Sequence, residues 1–259
     1  MKYYVVNAFT DEIFKGNPAG ICILNEWISD STMQNIAAEN NLSETAFAVK
    51  NGDNYDLRWF TPKSEIDLCG HATLATSYVI SNYIDIGIQN MIFNTASGVL
   101  NVKRRGDLYD MDLPLREPKK VELSKEIITQ TIGVEPVEIY LSRDLFVVLE
   151  TEKQVKDLSP DFSKMIKLEK GSGVIVTAKG TDVDFVCRCF YPKFGVNEDP
   201  VTGSAFSNLI PFWSKRLNKD VMISRQLSER GGTLYCKIAR DRVEVSGKAS
   251  LYMIGDIYI

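Results

Sequence analysis

Arg58-Trp-Phe60-Thr-Pro62-Lys63 returns 130 positions later as Arg188-Cys-Phe190-Tyr-Pro192-Lys193. Working outward, Asp67-Leu-Cys-Gly70-His71-Ala72 answers to Asp199-Pro-Val-Thr202-Gly203-Ser204-Ala205, with the glycines 133 apart. Gly98-Val-Leu-Asn-Val answers to Gly232-Thr-Leu-Tyr-Cys, and each is followed by an aspartate, Asp107 or Asp241, nine residues after its glycine. Upstream, the segment from Ile28 to Ile36 lies over the segment from Leu158 to Ile166, again 130 apart. Four matches in one order with a slowly drifting offset predict two copies of one module of about 130 residues. The junction is expected at Pro114 to Lys120, a proline- and lysine-rich stretch. That places the first module at 1–116 and the second at 117–249, with the C-terminal strand, about 250–259, free to return to the first.

Within each copy the pattern reads strands first, then a helix, more strands, a second helix and closing strands. In the first copy Met33, Ile36 and Ala37 share a face of a helix near Ser31 to Asn40, for which Ser31 or Asp30 would be the cap. The second helix, His71 to about Asn82, is apolar nearly all round, and such a helix is buried. Its counterpart runs from Ser204 to about Leu217 and contains Pro211, which is expected to bend or break a turn. Strand-rich modules with one buried helix predict an α+β fold in which a sheet curls around that helix. Neither GxGxxG nor GxxxxGK[ST] occurs, which argues against a nucleotide-binding α/β fold.

Composition narrows the function. With 259 residues, 44% hydrophobic and 25% charged, the chain reads as an ordinary globular protein able to bury its own core. Thirty basic against 34 acidic residues give a net charge of −4, which offers no nucleic-acid surface. No apolar run approaches the roughly 18 residues of a membrane helix, and the N-terminus reads as a strand rather than a signal peptide. Five scattered cysteines, an odd number in a chain too large to need staples, favour a reducing, cytoplasmic setting. Cys187 and Cys189 lack a second pair, so they read as two positions on one strand face and no metal site is predicted. The single histidine, His71, excludes any chemistry needing two imidazoles.

Candidate site residues cluster where the two buried helices begin. A helix N-terminus presents unpaired N–H groups and a partial positive charge, and a glycine there lets a ligand approach the backbone. Two related modules facing each other would aim two such ends at one small carboxylate. Either glycine taken alone reads more readily as a packing device. Glu44, where a polar loop enters an apolar strand, is either a solvated loop acid or a general acid/base in an apolar cleft. Asp199 precedes a proline and is expected to be extended, capping the next helix through Thr202 or Gly203, or orienting His71. Gly16-Asn17-Pro18-Ala19 reads as a turn whose backbone could line a ligand site. Ser204 lacks a GxSxG elbow, and Cys69 reads as buried and inert rather than nucleophilic.

These stretches resemble the PhzF-like family, named for the phenazine-biosynthesis isomerase, within the diaminopimelate-epimerase-like superfamily. The resemblance rests on Phe14-Lys-Gly-Asn-Pro-Ala19, Asn41-Leu-Ser-Glu44-Thr-Ala-Phe47, Arg58-Trp-Phe-Thr-Pro62, Asp67-Leu-Cys-Gly-His-Ala-Thr73 and Glu198-Asp-Pro-Val-Thr-Gly-Ser-Ala205. It implies two pseudo-symmetric modules, each a mixed, barrel-like sheet around a central helix, with the active site between them. It implies isomerisation without metal or cofactor, and commonly a homodimer. Glu44 matches the family's proton-shuttling acid/base. His71, Asp199 and Ser204 match its other active-site positions. Asn17, Gly70, Ala72, Thr202 and Gly203 are the expected substrate-binding positions. The superfamily's two-thiol racemases carry a cysteine at the start of each central helix. Here Cys69 fits the first position but Thr202 occupies the second, so a two-base racemase is not expected. The functional expectation is a cofactor-independent isomerase of a small carboxylate-bearing metabolite. The alternative is a non-catalytic protein that binds small carboxylates or a partner.

Overall fold

The computed structural model describes residues 1–259. It divides into two compact units, Met1–Asp112 with Val245–Ile259, and Leu113–Glu244. The first unit holds β1 (Lys2–Ala8), β2 (Asn17–Leu24), α1 (Asp30–Asn40), β3 (Glu44–Asn51), β4 (Asn54–Phe60), β5 (Glu65–Ile66), α2 (Gly70–Val79), β6 (Asn90–Thr95), β7 (Gly98–Arg105) and β8 (Leu108–Pro114), whose end crosses the boundary. The second holds β9 (Lys119–Lys120), α3 (Lys125–Ile132), β10 (Glu138–Leu141), β11 (Leu145–Val148), α4 (Glu152–Lys156), α5 (Phe162–Met165), β12 (Val174–Lys179), β13 (Phe185–Tyr191), β14 (Val196–Asp199), α6 (Phe206–Leu217), β15 (Val221–Gln226) and β16 (Gly232–Ala239). β17 (Arg242–Gly247) spans the second boundary, and β18 (Ala249–Asp256) closes the first unit by pairing antiparallel with β1.

Both units follow one pairing scheme. In the first, β1 and β2 are antiparallel, β2 and β3 parallel, β3 and β4 antiparallel, β4 and β6 parallel, β6 and β7 antiparallel. In the second, β10 and β11 are antiparallel, β11 and β12 parallel, β12 and β13 antiparallel, β13 and β15 parallel, β15 and β16 antiparallel. Each parallel pair needs a long crossover, and helices supply it. α1 lies between β2 and β3, and α4 with α5 between β11 and β12.

The match extends to side chains. Arg58 forks onto Glu65 with Nε and an Nη, both at 2.7 Å, and lies over the Phe60 ring at 5.2 Å. Arg188 forks onto Glu198 at 2.7 and 2.8 Å and lies over the Phe190 ring at 5.1 Å. The opening hexapeptide therefore marks one device built twice: a planar guanidinium gripped by a carboxylate and stacked on an aromatic face.

In the first unit α2 packs against β1, β2, β3 and β18, so the strands wrap the helix. Residues 71–77 and Val79 are buried, and the hydroxyls that go inside bond back to the helix. Thr73, Thr76 and Ser77 donate to the carbonyls of Cys69, Ala72 and Thr73 at 2.6–2.8 Å, which satisfies them without a partner element. The α-helix stops at Val79 and continues as a π-helical turn over Ile80–Ile84. On the other sheet face, Met33, Ile36 and Ala37 of α1 meet Tyr3, Cys22, Phe47 and Phe60.

Three local expectations need correction. The cap of α1 is Ser29, which is extended and accepts the Thr32 amide at 3.1 Å, because the helix already begins at Asp30. The turn before β2 is made by Gly16 at φ +68°, whereas Asn17 and Pro18 already pair with Ala8 and Asn7 as the start of the strand. Pro fits there because the first residues of a strand tolerate a missing donor. Pro211 does not break α6. A proline at 211 leaves the carbonyl of Ser207 without its helical N–H. That carbonyl instead accepts the Arg116 amide at 3.0 Å, while Asn208 donates from Nδ2 to the Arg116 carbonyl at 2.7 Å.

Candidate active site

The first unit brings Glu44, His71, Asn17 and Cys69 together. Glu44 is the first residue of β3, and the parallel pairing of β2 with β3 sets it opposite Ala19, two residues beyond Asn17. His71 is the second residue of α2, so its ring is carried by the first helical turn. Its Nε2 lies 3.1 Å from Glu44 Oε2, and its Nδ1 lies 3.2 Å from the Asn17 amide nitrogen. The two side chains are only 7% and 16% exposed, so they meet largely out of water while the Glu44 carboxylate keeps an open edge. Oε2 of Glu44 is buried yet makes no aligned hydrogen bond, despite the nearby imidazole. A carboxylate oxygen in that state retains lone pairs for an incoming proton.

The protonation of His71 follows from its surroundings. Burial pushes the imidazole down. Cys69 and Glu44 beside it outweigh that effect and lift it well above the ordinary 6.5. Burial pushes the Cys69 thiol up as well, so at neutral pH the thiol is uncharged and the opposing charge comes from Glu44. The imidazole is thus drawn toward its protonated form at the point where it meets Glu44.

Cys69 was not expected in this group. It is the N-cap of α2, extended and without a side-chain cap bond, and its Sγ lies 3.5 Å from His71 Nδ1 and 4.0 Å from Nε2. The available signal was its position two residues before the one histidine, at a helix start that orients both side chains to the same end. Gly70 and Ala72 occupy the same first turn, whose N–H groups have no helical partners.

The second unit assembles Asp199, Thr202, Gly203 and Ser204 at the corresponding helix start. Asp199 ends β14, opposite Cys189 of β13, and its Oδ2 accepts from the Thr202 hydroxyl at 2.6 Å. The Thr202 amide that it was expected to hold goes elsewhere. That amide donates to Oε1 of Gln226, at 2.9 Å, and Gln226 Nε2 donates to the Asp199 carbonyl at 2.7 Å. Gln226 is thus the residue that ties this turn down, and the sequence reading missed it. It closes β15, where alternate residues are buried, so its polar end inside was the clue. Ser204 is partly exposed within a one-turn 3₁₀ helix, Gly203–Ala205, that leads into α6. Cys187 and Cys189 are both fully buried on β13, on one strand face.

Two units share one pairing scheme, and the first carries a buried acid–imidazole pair. The phenazine biosynthesis-like protein family matches residues 6–255, and the chain belongs to that family. An uncharacterised isomerase of Pseudomonas aeruginosa is 44% identical over 256 residues, spanning 99% of this chain and 98% of the relative. The crystal structure of a PhzF-family phenazine biosynthesis protein from Enterococcus faecalis superposes with a TM-score of 0.98 at 49% identity, covering 100% and 99% of the two chains. A hydroxyproline epimerase from Agrobacterium vitis, solved with trans-4-hydroxy-L-proline, shares the fold at a TM-score of 0.62 and 10% identity, over 98% and 91% of the chains. No helix is long and apolar enough to cross a membrane.

Proposed function

We propose that the chain is a cofactor-independent isomerase of a small carboxylate-bearing metabolite, working by carboxylate-mediated proton transfer. The observation that carries this reading is the Glu44 oxygen that is buried, without a hydrogen bond, and 3.1 Å from the only imidazole. Glu44 takes a proton from a carbon of the substrate and returns it at another position, so the substrate is rearranged with no net gain or loss of atoms. The His71 imidazole beside it, drawn toward its protonated form, stabilises the negative charge that develops as the C–H bond breaks. Asn17 orients the imidazole, and the backbone amides of Gly70 and Ala72 bind a substrate carboxylate. Asp199 and Ser204 join the catalytic set, with Thr202 and Gly203 as binding positions, in the roles the family motif assigns them. The names of the relatives support the reaction class. Thr202 at the position of a second thiol counts against a two-base racemase.

The reading extends to setting and origin. An internal duplication accounts for the shared pairing scheme and the twin arginine devices. The five free, buried cysteines accord with a cytoplasmic protein, and the family resemblance suggests a homodimer with a biosynthetic role.

The test is solvent-deuterium incorporation. Carboxylic metabolites are screened by thermal shift, the hits are followed by NMR in D₂O, and turnover is repeated with Glu44→Gln. Deuterium entering the product with the native chain and not with the variant is the expected result. Full activity of Glu44→Gln on a converted substrate would remove Glu44 from the mechanism, and binding without exchange across the panel would favour a non-catalytic binding protein.

A further inference from the structure

We propose that Cys69, His71 and Glu44 form a binding site for a thiophilic divalent cation of the zinc and cadmium class. One ligand atom from each residue, a sulfur, an imidazole nitrogen and a carboxylate oxygen, lies within 4.8 Å of the other two. Zinc bonds of about 2.0 Å to nitrogen and oxygen and about 2.3 Å to sulfur place neighbouring ligands of a tetrahedral ion roughly 3.3–3.6 Å apart. The Nε2-to-carboxylate separation is 3.1 Å and the Nε2-to-Sγ separation is 4.0 Å. The Glu44–His71 edge is already close to ligand length, whereas Sγ lies nearer Nδ1, at 3.5 Å, so the Cys69 side chain has to swing toward the Nε2 side for the three donors to meet one ion.

The surroundings favour this donor set. Sulfur and imidazole select borderline and soft cations over magnesium or calcium. The Asn17 side chain already lies 3.2 Å from Nδ1, a contact that fixes the ring of a ligating histidine and leaves Nε2 for the ion. Cys69 is the N-cap of α2, and the helix N-terminus stabilises the thiolate that binding creates. On binding, Sγ and Nε2 each release one proton to solvent, bonds form from sulfur, nitrogen and the Glu44 oxygen to the ion, and no electron changes hands. Three protein ligands leave the fourth position to water.

The binding rests on this geometry alone. Its consequence, that a bound ion blocks turnover by occupying Glu44 and His71, rests on the proposed proton transfer. The other four cysteines are buried with no histidine beside them, since the chain has one, so mixed sulfur–nitrogen ligation identifies this site.

The experiment uses the full chain, stripped with a chelator and kept reduced, and titrated with Cd²⁺ while the thiolate-to-cadmium ultraviolet band is followed. Zn²⁺ affinity is measured by calorimetry. One equivalent of Cd²⁺ is expected to saturate the band. Cys69→Ser should abolish it and weaken Zn²⁺ by about tenfold or more, whereas Cys187→Ser and Cys189→Ser should keep both. If Cys69→Ser does not fold, ¹¹³Cd–¹⁵N coupling to the His71 ring in the native chain decides the matter. Absence of a stoichiometric band, a band that survives in a folded Cys69→Ser, or absence of that coupling overturns the proposal. None of these results bears on the deuterium test, so failure here and failure of the proton-transfer reading are separable.

Discussion

The two units are alike where they hold their sheets and unlike where their central helices begin. Arg58 on Glu65 and Phe60 is the same construction as Arg188 on Glu198 and Phe190, within a tenth of an ångström along the guanidinium–carboxylate fork and the ring approach. At the helix starts the correspondence ends. One presents Cys69 and His71 against Glu44; the other presents Thr202 tied to Asp199 and Gln226. The scaffold is repeated because each copy must solve the same packing problem. The helix starts are not repeated: only the first carries an imidazole beside a carboxylate.

The largest expected effect would break the equivalence of the two acids. Glu44→Gln should lower turnover by about 10²- to 10⁴-fold, the usual worth of a general acid/base. Asp199→Asn should lower it less, because Asp199 already spends an oxygen on the Thr202 hydroxyl. Steady-state rates on a converted substrate check both, and equal losses would mean that the acids act as a pair.

Next is the contrast between the twin arginines. The Arg188 side chain is 11% exposed and also donates to the carbonyls of Val155, Lys156 and Leu158, so Arg188→Ala strands a half-buried carboxylate and three acceptors. A loss of about 3–5 kcal/mol is expected. Arg58 is more open, and its partners Glu65 and Asp30 can turn to water, so Arg58→Ala should cost about 1 kcal/mol. Urea midpoints of the two variants test the ranking, and a reversed order would refute it.

The single histidine allows a third test, in metal-free protein. The C2–H resonance of His71 should titrate well above the ordinary 6.5. With Glu44→Gln the burial is no longer opposed by a neighbouring charge, and the midpoint should fall. The sign for stability follows. A raised folded value gives stability that is fully present below the unfolded value near 6.5 and is lost as pH rises through the folded value, so the native chain should weaken on the alkaline side. A midpoint unmoved by Glu44→Gln would separate the two side chains electrostatically.

The smallest effects concern the caps of two crossover helices, one in each unit. Ser29 accepts one amide at the start of α1, and Asp161 accepts those of Ser163 and Lys164 at the start of α5. Alanine at either should cost about 1 kcal/mol, with Asp161 the larger by its second bond. Thermal midpoints would show whether the ranking holds.

Much of this was legible in the chain. The offset of 130 anticipated the common pairing scheme, since recurring residues report recurring environments. GNPA, LSET, CGHAT and EDPVTGSA identified the family, and the first three also supplied Asn17, Glu44 and His71, which meet in space. Cys69 is buried as expected, but its place beside His71 Nδ1 was not legible, because a neighbour in space leaves no mark on the residue itself. Gln226 was invisible because its partners, Asp199 and Thr202, lie 24 to 27 residues away. That α6 runs unbroken through Pro211 was illegible for a related reason: the orphaned Ser207 carbonyl is satisfied by Arg116, far upstream.

The sequence by itself determined that the protein is built of two similar halves, that its family is the phenazine biosynthesis-like one, and that only one imidazole is available. These are properties of residue identity and spacing along the chain. Only the tertiary structure decided that Glu44 lies 3.1 Å from His71 with an oxygen left without a hydrogen bond, that Cys69 joins them, and that Gln226 rather than Asp199 ties down the second helix start. Such facts depend on which elements the sheet brings side by side, because charge, burial and hydrogen bonding act through distance in space, to which distance along the chain is no guide.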